Sequence, residues 1–291
     1  MQLHDRTRIR EAWTAFWQDP ASGQQCIRGA PDVTHALRGH WSSFAGQLGA
    51  GARILDLGCG AGAAAAAMVT ARRDLDVTGV DFAMVPAATE ASIQLLSDTP
   101  MEQLPFADAI FDAAISQFGY EYGRIHKTAR QLTRVLRQGA RFSFIVHHAD
   151  SSVVATNRAR LDAIRTIHAP DMRAAFLAGN AFVLNAKLAC LQRAHPHDTL
   201  VGTLARHLPV RATRSRQERD AAWTAVEEAL WPERTVLEAL DACCVAPEEL
   251  DGWLGPLRQF CAVTSVSILR KPSGDTIAWR IDGSRTSEAG S

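Results

Sequence analysis

The 291-residue chain carries 31 basic and 31 acidic side chains, and the resulting net charge of zero argues against a protein that coats nucleic acid. At 47% hydrophobic residues it has ample material for a core, and its length suits one α/β domain with an added element rather than two large domains. No stretch approaches the roughly 18 apolar residues of a spanning helix, and the opening MQLHDRTRIREAW is charged, so the expectation is a soluble cytoplasmic protein without a membrane partner.

Residues 5–18 read as a helix with Asp5 at its start and Trp13, Phe16 and Trp17 on one face. Such a stripe packs on a core, and it can serve equally as a lid over a ligand. A Gly/Ser/Gln-bearing loop over 20–29 precedes a second helix from Asp32, with Val33, Leu37, Trp41, Phe44 and Leu48 apolar and Gly49 and Gly51 ending it.

The stretch RILDLGCGAGAAAAAM, residues 53–68, is the most informative in the chain. A short apolar run predicts a buried parallel strand, three glycines (Gly58, Gly60, Gly62) predict a tight turn, and the alanines that follow favour helix. Strand, glycine turn and helix start together let a backbone approach a ligand closely and offer free N–H donors. The turn also fits the dinucleotide fingerprint if Ala63 takes the last glycine place, so a nicotinamide dehydrogenase stays open at this point. Asp56 stands before the first glycine. Asp81 closes a second strand-like run, Val77–Val80, where a carboxylate can accept from two ribose hydroxyls. Further on, Met101-Glu102-Gln103-Leu104-Pro105-Phe106 leads through Asp108 and Phe111-Asp112 into a third apolar run.

With these pieces in order, the chain resembles class I S-adenosylmethionine (SAM)-dependent methyltransferases of the ubiquinone/menaquinone-biosynthesis-like group over roughly residues 50–148. The resemblance implies an α/β fold: a doubly wound, seven-stranded Rossmann-like sheet with a helical cap inserted after strand 5 and N-terminal lid helices. It implies SAM as cofactor, held by Asp56, Gly58, Cys59, Gly60 and Gly62 at the turn, Asp81 at the ribose, and Phe82, Met101, Glu102, Ser116 and Gln117 around the rest. Pro100 stands where the family carries an Asp for the adenine amino group, leaving that contact to backbone, water or Asp98.

The expected strands are 53–57, 76–80, 93–96, 111–115 and 141–146, with helices over 61–72 and 124–137, the latter ended by Gly139. Residues 151–258 read as a helical substrate cap with helices over 153–168, 171–194, 216–230 and 233–245, punctuated by prolines. A hairpin, Cys261–Leu269 and Thr276–Ile281, completes the sheet, and residues 283–291 form a polar tail. The domains expected are therefore 1–50, 51–150, 151–258, 259–282 and the tail.

Methyl transfer is an in-line displacement that needs alignment and a dry pocket, with a base where the acceptor starts protonated. His147 and His148, at the end of strand 5, are the candidate bases. Alternation sends their rings to opposite sides, so at most one faces a pocket. Phe118, Tyr120 and Tyr122 after strand 4, with Trp13 and Trp17 from the first helix, are the candidate substrate contacts. Plain packing stands beside each of these roles. His147, His148, Asp150 and Glu121 are weighed as a metal set and set aside, because adjacent strand histidines point apart. The six cysteines show no zinc spacing and suit a reducing compartment. The basic segment Arg206–Arg219 reads as a solvated helix approach, with an acidic acceptor or a nucleic-acid patch as its alternatives.

The expectation is methyl transfer to a small-molecule acceptor, favouring a phenol, enol or carboxyl oxygen of a specialised metabolite or quinone-like compound. A tRNA or protein methyltransferase and a catalytically silent SAM-binding partner are the rivals, and a homodimer is left open.

Overall fold

The computed structural model describes residues 3–19 and 30–286, so Cys26 and the loop expected over 20–29 lie outside the described residues. The chain divides into two units, Met1–Val154 with Ala239–Ser291, and Ala155–Glu238.

In chain order the elements begin with helices α1 (Leu3–Gln18) and α2 (Pro31–Ala45), then β1 (Arg53–Leu57), α3 (Ala63–Ala71), β2 (Asp76–Val80) and β3 (Ile93–Leu96). Next come β4 (Phe111–Gln117), a 3-10 turn over Tyr120–Tyr122, α4 (Ile125–Val135) and β5 (Leu136–His147). Helices α5 (Ser152–Ile167), α6 (Pro170–Leu177), α7 (Ala181–Ala194), α8 (Thr199–Ala212), α9 (Arg216–Cys243) and α10 (Leu250–Arg258) follow, then β6 (Cys261–Arg270) and β7 (Thr276–Arg285).

The seven strands form one sheet in the order β3-β2-β1-β4-β5-β7-β6. The first five pair in parallel, and β7 runs antiparallel to both β5 and β6. Alternation along the strands gives each face its own core. Leu55, Leu57, Ala114, Phe142, Phe144 and Ile281 meet Ala129, Leu132 and Val135 of α4 and Leu254 and Leu257 of α10. Ile54, Val77, Ala113, Ile115 and Ile145 meet Trp41 and Phe44 of α2 and Ala64, Ala65 and Met68 of α3. Burying each large apolar side chain contributes about 1.5–3 kcal/mol. The alanines of α3 serve a close helix–sheet approach as well as helix propensity.

Several expected boundaries move. Strand β4 runs to Gln117, so Ser116 and Gln117 belong to the strand and not to the loop after it. Gly139 does not end a helix. Strand β5 starts at Leu136 and passes through Gly139 at φ +72°, and the pairing with β4 shifts register between Phe111 and Ala113. No helix joins β2 to β3; residues 81–92 make that crossover as turns and extended chain. Strand β7 continues to Arg285, three residues into the expected tail, because Gly283 and Ser284 pair with both β5 and β6.

The second unit has a core of its own, including Leu161, Phe176, Leu184, Leu204 and Trp223. The single helix expected over 171–194 is two, parted at Gly179, whose φ of +67° ends a helix at little cost. The two helices expected over 216–245 are one, with Pro232 inside it. Helix α8 was not expected; Asp198 caps it by accepting from Leu200 N and Val201 N, and Pro209 lies within it. Residues 239–258, expected in the cap, belong to the first unit.

Candidate cofactor and active site

The glycine turn sits at the carboxyl end of β1, where ligands gather in open parallel sheets. Gly58, Gly60 and Gly62 all have positive φ, of +67°, +49° and +79°. At Gly58 the reason is also spatial, since a Cβ there would lie 2.8 Å from Gly119 Cα. The turn after β1 and the loop after β4 therefore meet backbone to backbone.

Asp56 is fully buried, and neither carboxylate oxygen has a hydrogen bond of full geometry among the described residues. Burial first, and then the neighbouring Asp81, push its pKa up to about 7, while the Ala65 amide pulls the other way. Asp81 accepts from Gly60 N at 2.8 Å and from Ala83 N at 2.8 Å. Burial raises it to about 6 against the pull of those two amides. Two carboxylates side by side at a glycine turn suit a ligand that brings positive charge and hydroxyl donors. Cys59 packs against Gly79, where a Cβ would meet its Sγ at 2.8 Å, and burial pushes its thiol well up. It contributes a buried wall, not a nucleophile.

Helix α1 lies over this turn. A Cβ on Gly60 would fall 2.4 Å from the Trp17 ring. Trp17 stacks on Trp13 at 5.8 Å, and Trp13 meets Tyr122 edge-on at 5.3 Å. Along the same helix, Thr14 Oγ1 accepts from Met84 N at 3.1 Å and Arg10 pairs with Asp98 at 2.5 Å. Arg6 lies 5.2 Å over the Phe82 ring and 3.4 Å from Glu102, which also accepts from Arg124 N. Asp98, one of the groups considered for the adenine amino contact, is thus engaged by Arg10.

Three expected contacts are turned elsewhere. Ser116 is fully buried, donates to Leu57 O at 2.6 Å and accepts from Tyr120 N at 2.9 Å, so it ties the β4 turn to β1. Met101 is buried in the α4-side core beside Gly123. Tyr120 is fully buried, stacked on Phe144 at 4.4 Å with Trp253 at its edge, in the same core. Gln117 accepts from Trp41 Nε1 at 2.6 Å and, with Phe118, lines an open cleft of about 550 Å³. Leu37 and Trp41 of α2, Ala66 and Thr70 of α3, and Ala88 and Glu90 of the helix-free crossover form other parts of its wall.

The two histidines part as strand alternation requires. His148 stacks on Trp279 at 4.2 Å, and its Nδ1 accepts from Asp150 N at 3.1 Å. Burial lowers its pKa, so the ring is neutral and packed against the sheet. His147 lies on the other side, 4.3 Å from the Phe118 ring and 6.2 Å from Tyr122. Its Nδ1 is 2.7 Å from Glu121 Oε1, and its Nε2 is buried with no hydrogen-bond partner among the described residues. The described residues contain no group of His, Cys, Asp and Glu arranged to hold a metal ion. No helix among them is long and apolar enough to cross a membrane.

His147, Phe118, Tyr122, Trp13, Trp17 and Gly60 thus form one contiguous chain of contacts, and Asp81 bonds the same turn. From sequence, Glu121 enters only with His147, His148 and Asp150 in the metal set that is set aside. An acid between two tyrosines in an apolar rim is the signal that could have singled it out.

Residues 55–144 match the family described as Methyltransferase domain. Over 138 residues the chain is 30% identical to O-methyltransferase resE of Aspergillus sclerotiorum, covering 44% of this chain and 50% of that protein. Over 139 residues it is 31% identical to O-methyltransferase rstn1 of Aspergillus nomiae, covering 44% and 59%. The chain spans about half the length of these curated relatives. Among solved structures, a SAM-dependent methyltransferase from Methanosarcina mazei aligns with 84% of this chain and 98% of its own, at 14% identity and a TM-score of 0.43.

Proposed function

We propose that the chain, whose residues 55–144 match the methyltransferase-domain family, binds SAM and methylates an oxygen of a small, flat acceptor. The residues present fit the cofactor. The orphaned carboxylate of Asp56, the glycines whose Cβ positions are taken, and an Asp81 with lone pairs beyond its two amide bonds suit a cationic nucleoside. Asp81 would hold the ribose, the turn over Gly58–Gly62 the amino-acid end, and Phe82 the adenine. When bound, SAM supplies an activated methyl group whose leaving atom is a neutral thioether sulfur.

The chain's own part is positioning, exclusion of water and movement of one proton. Phe118, Tyr122 and Trp13 offer aromatic faces and edges to a flat acceptor. The acceptor's hydroxyl proton passes to His147 Nε2. With SAM bound, that oxygen would take the methyl group and the sulfur would leave as a neutral thioether. His147 then returns the proton to solvent. The observation that carries this reading is the buried Nε2 of His147, without a hydrogen-bond partner, among the aromatic side chains beside the glycine turn. A buried acceptor atom left unsatisfied costs about 1–3 kcal/mol, and a site retains such an atom where a ligand donates to it. The two fungal O-methyltransferases lend support to oxygen as the acceptor atom.

The test is to incubate purified protein with methyl-labelled SAM and fractionated cell extract. Label recovered in an organic-soluble compound as a methoxy or methyl ester group supports the proposal. Label confined to protein or tRNA overturns it.

A further inference from the structure

We propose that Glu121 is the positioning residue of the transfer, fixing His147 in the tautomer whose Nε2 carries the lone pair and facing the imidazolium that forms when the acceptor's proton arrives. This rests on the reading of His147 as the base. Glu121 lies in the 3-10 turn after β4, and the two side chains are 0% and 1% exposed. One oxygen, Oε1, meets the same residue twice, accepting from His147 N at 2.9 Å and lying 2.7 Å from His147 Nδ1. The first bond fixes the end of β5 relative to the turn, and the second fixes the ring about χ2.

A carboxylate that only accepts places the shared proton on Nδ1 in this arrangement and leaves Nε2 as the acceptor. That second nitrogen is the buried one without a partner, as is Glu121 Oε2. Fold stability does not call for such an arrangement. A buried charged or polar pair is often no better for stability than apolar side chains of the same volume, and leaving polar atoms unsatisfied makes it worse. A base that must gain a proton inside an aromatic, water-poor site does require it, because the adjacent negative charge offsets the cost of forming a buried cation.

The experiment uses the full chain labelled with ¹⁵N-histidine, with long-range ¹H–¹⁵N spectra reporting which nitrogen of each ring carries the proton and His147→Asn assigning the His147 signals. The wild type should show His147 protonated on Nδ1. Glu121→Gln should show a mixed or reversed tautomer, since the amide can donate to Nδ1, while Glu121→Asp keeps a carboxylate and restores part of the wild-type pattern. With the acceptor recovered from labelled extract, Glu121→Gln should lower kcat about 100-fold with the KM for SAM unchanged. Wild-type His147 protonated on Nε2, or a Glu121→Gln spectrum and kcat like the wild type, overturns the proposal. His147→Asn turning over at the wild-type rate sinks the base reading instead, whatever the tautomer. Glu121→Asp keeps the comparison alive if Glu121→Gln fails to fold.

Discussion

Asp56 and Asp81 are ordinary acids whose surroundings change their chemistry. Asp56 titrates at about 7 in the folded chain against an ordinary 3.8, chiefly because it is buried. Between about pH 4 and pH 7 the folded chain therefore holds a proton that the unfolded chain has released. The stability tied to this proton is full at the acid end of that window and is lost as pH rises through about 7. Asp56→Asn, which cannot ionise, should melt progressively higher relative to the wild type between pH 5 and pH 8. Parallel melting curves across that range would contradict the assignment. Both acids were legible in the sequence, because the turn chemistry that surrounds them is local. The burial of Ser116, Met101 and Tyr120 was not legible, for the opposite reason. Whether a side chain at a strand end faces the rim or the core depends on register with a neighbour, and Ser116 is claimed by Leu57 O, from a strand 59 residues away. Gly119 shows the same limit: its φ of −133° is negative and does not itself call for glycine, and only its approach to Gly58 explains it.

Among the elements, α1 lies over the glycine turn. Arg6, Arg10, Thr14 and Trp17 recur every three or four residues, which puts them on one face, and each touches the turn or a loop around it. The Arg10–Asp98 pair is exposed and worth at most about 1 kcal/mol, so the indole on Gly60 is the stronger hold. Trp17→Ala should therefore speed SAM dissociation roughly tenfold in stopped-flow fluorescence, as expected when a covering element is loosened. An unchanged off-rate would show that α1 is packing alone. The aromatic face of α1 was readable from its spacing, whereas its partners Asp98, Glu102 and Met84 were not. The same holds for α8 and α9: prolines at 209 and 232 read as stops, yet buried residues on either side, Leu208 and Ala212 in α8, Leu230 and Val236 in α9, carry the helices through. Tertiary burial outweighed the local penalty of about 3 kcal/mol.

At the scale of the whole molecule, the order β3-β2-β1-β4-β5-β7-β6 brings the turn after β1, Asp81 after β2, the loop after β4 and His147 at the end of β5 to one edge of the sheet. That edge was predictable, because strand, glycine turn and helix follow in a pattern that parallel sheets impose. The helix-free crossover between β2 and β3 was not, and it leaves the cleft beside α3 open. The 155–238 unit has its own core and a half-buried ion-pair network, in which Arg160 binds Glu233 through both Nε and Nη2 and reaches Asp198. The account stands on SAM seated at the glycine turn with its ribose on Asp81, and titration calorimetry of SAM into the wild type and Asp81→Ala tests this most directly. Loss of two charge-assisted hydrogen bonds, each worth about 1.5–3 kcal/mol, predicts that Asp81→Ala binds SAM at least 100-fold more weakly with its fold intact. Equal affinity in the two proteins would contradict the account.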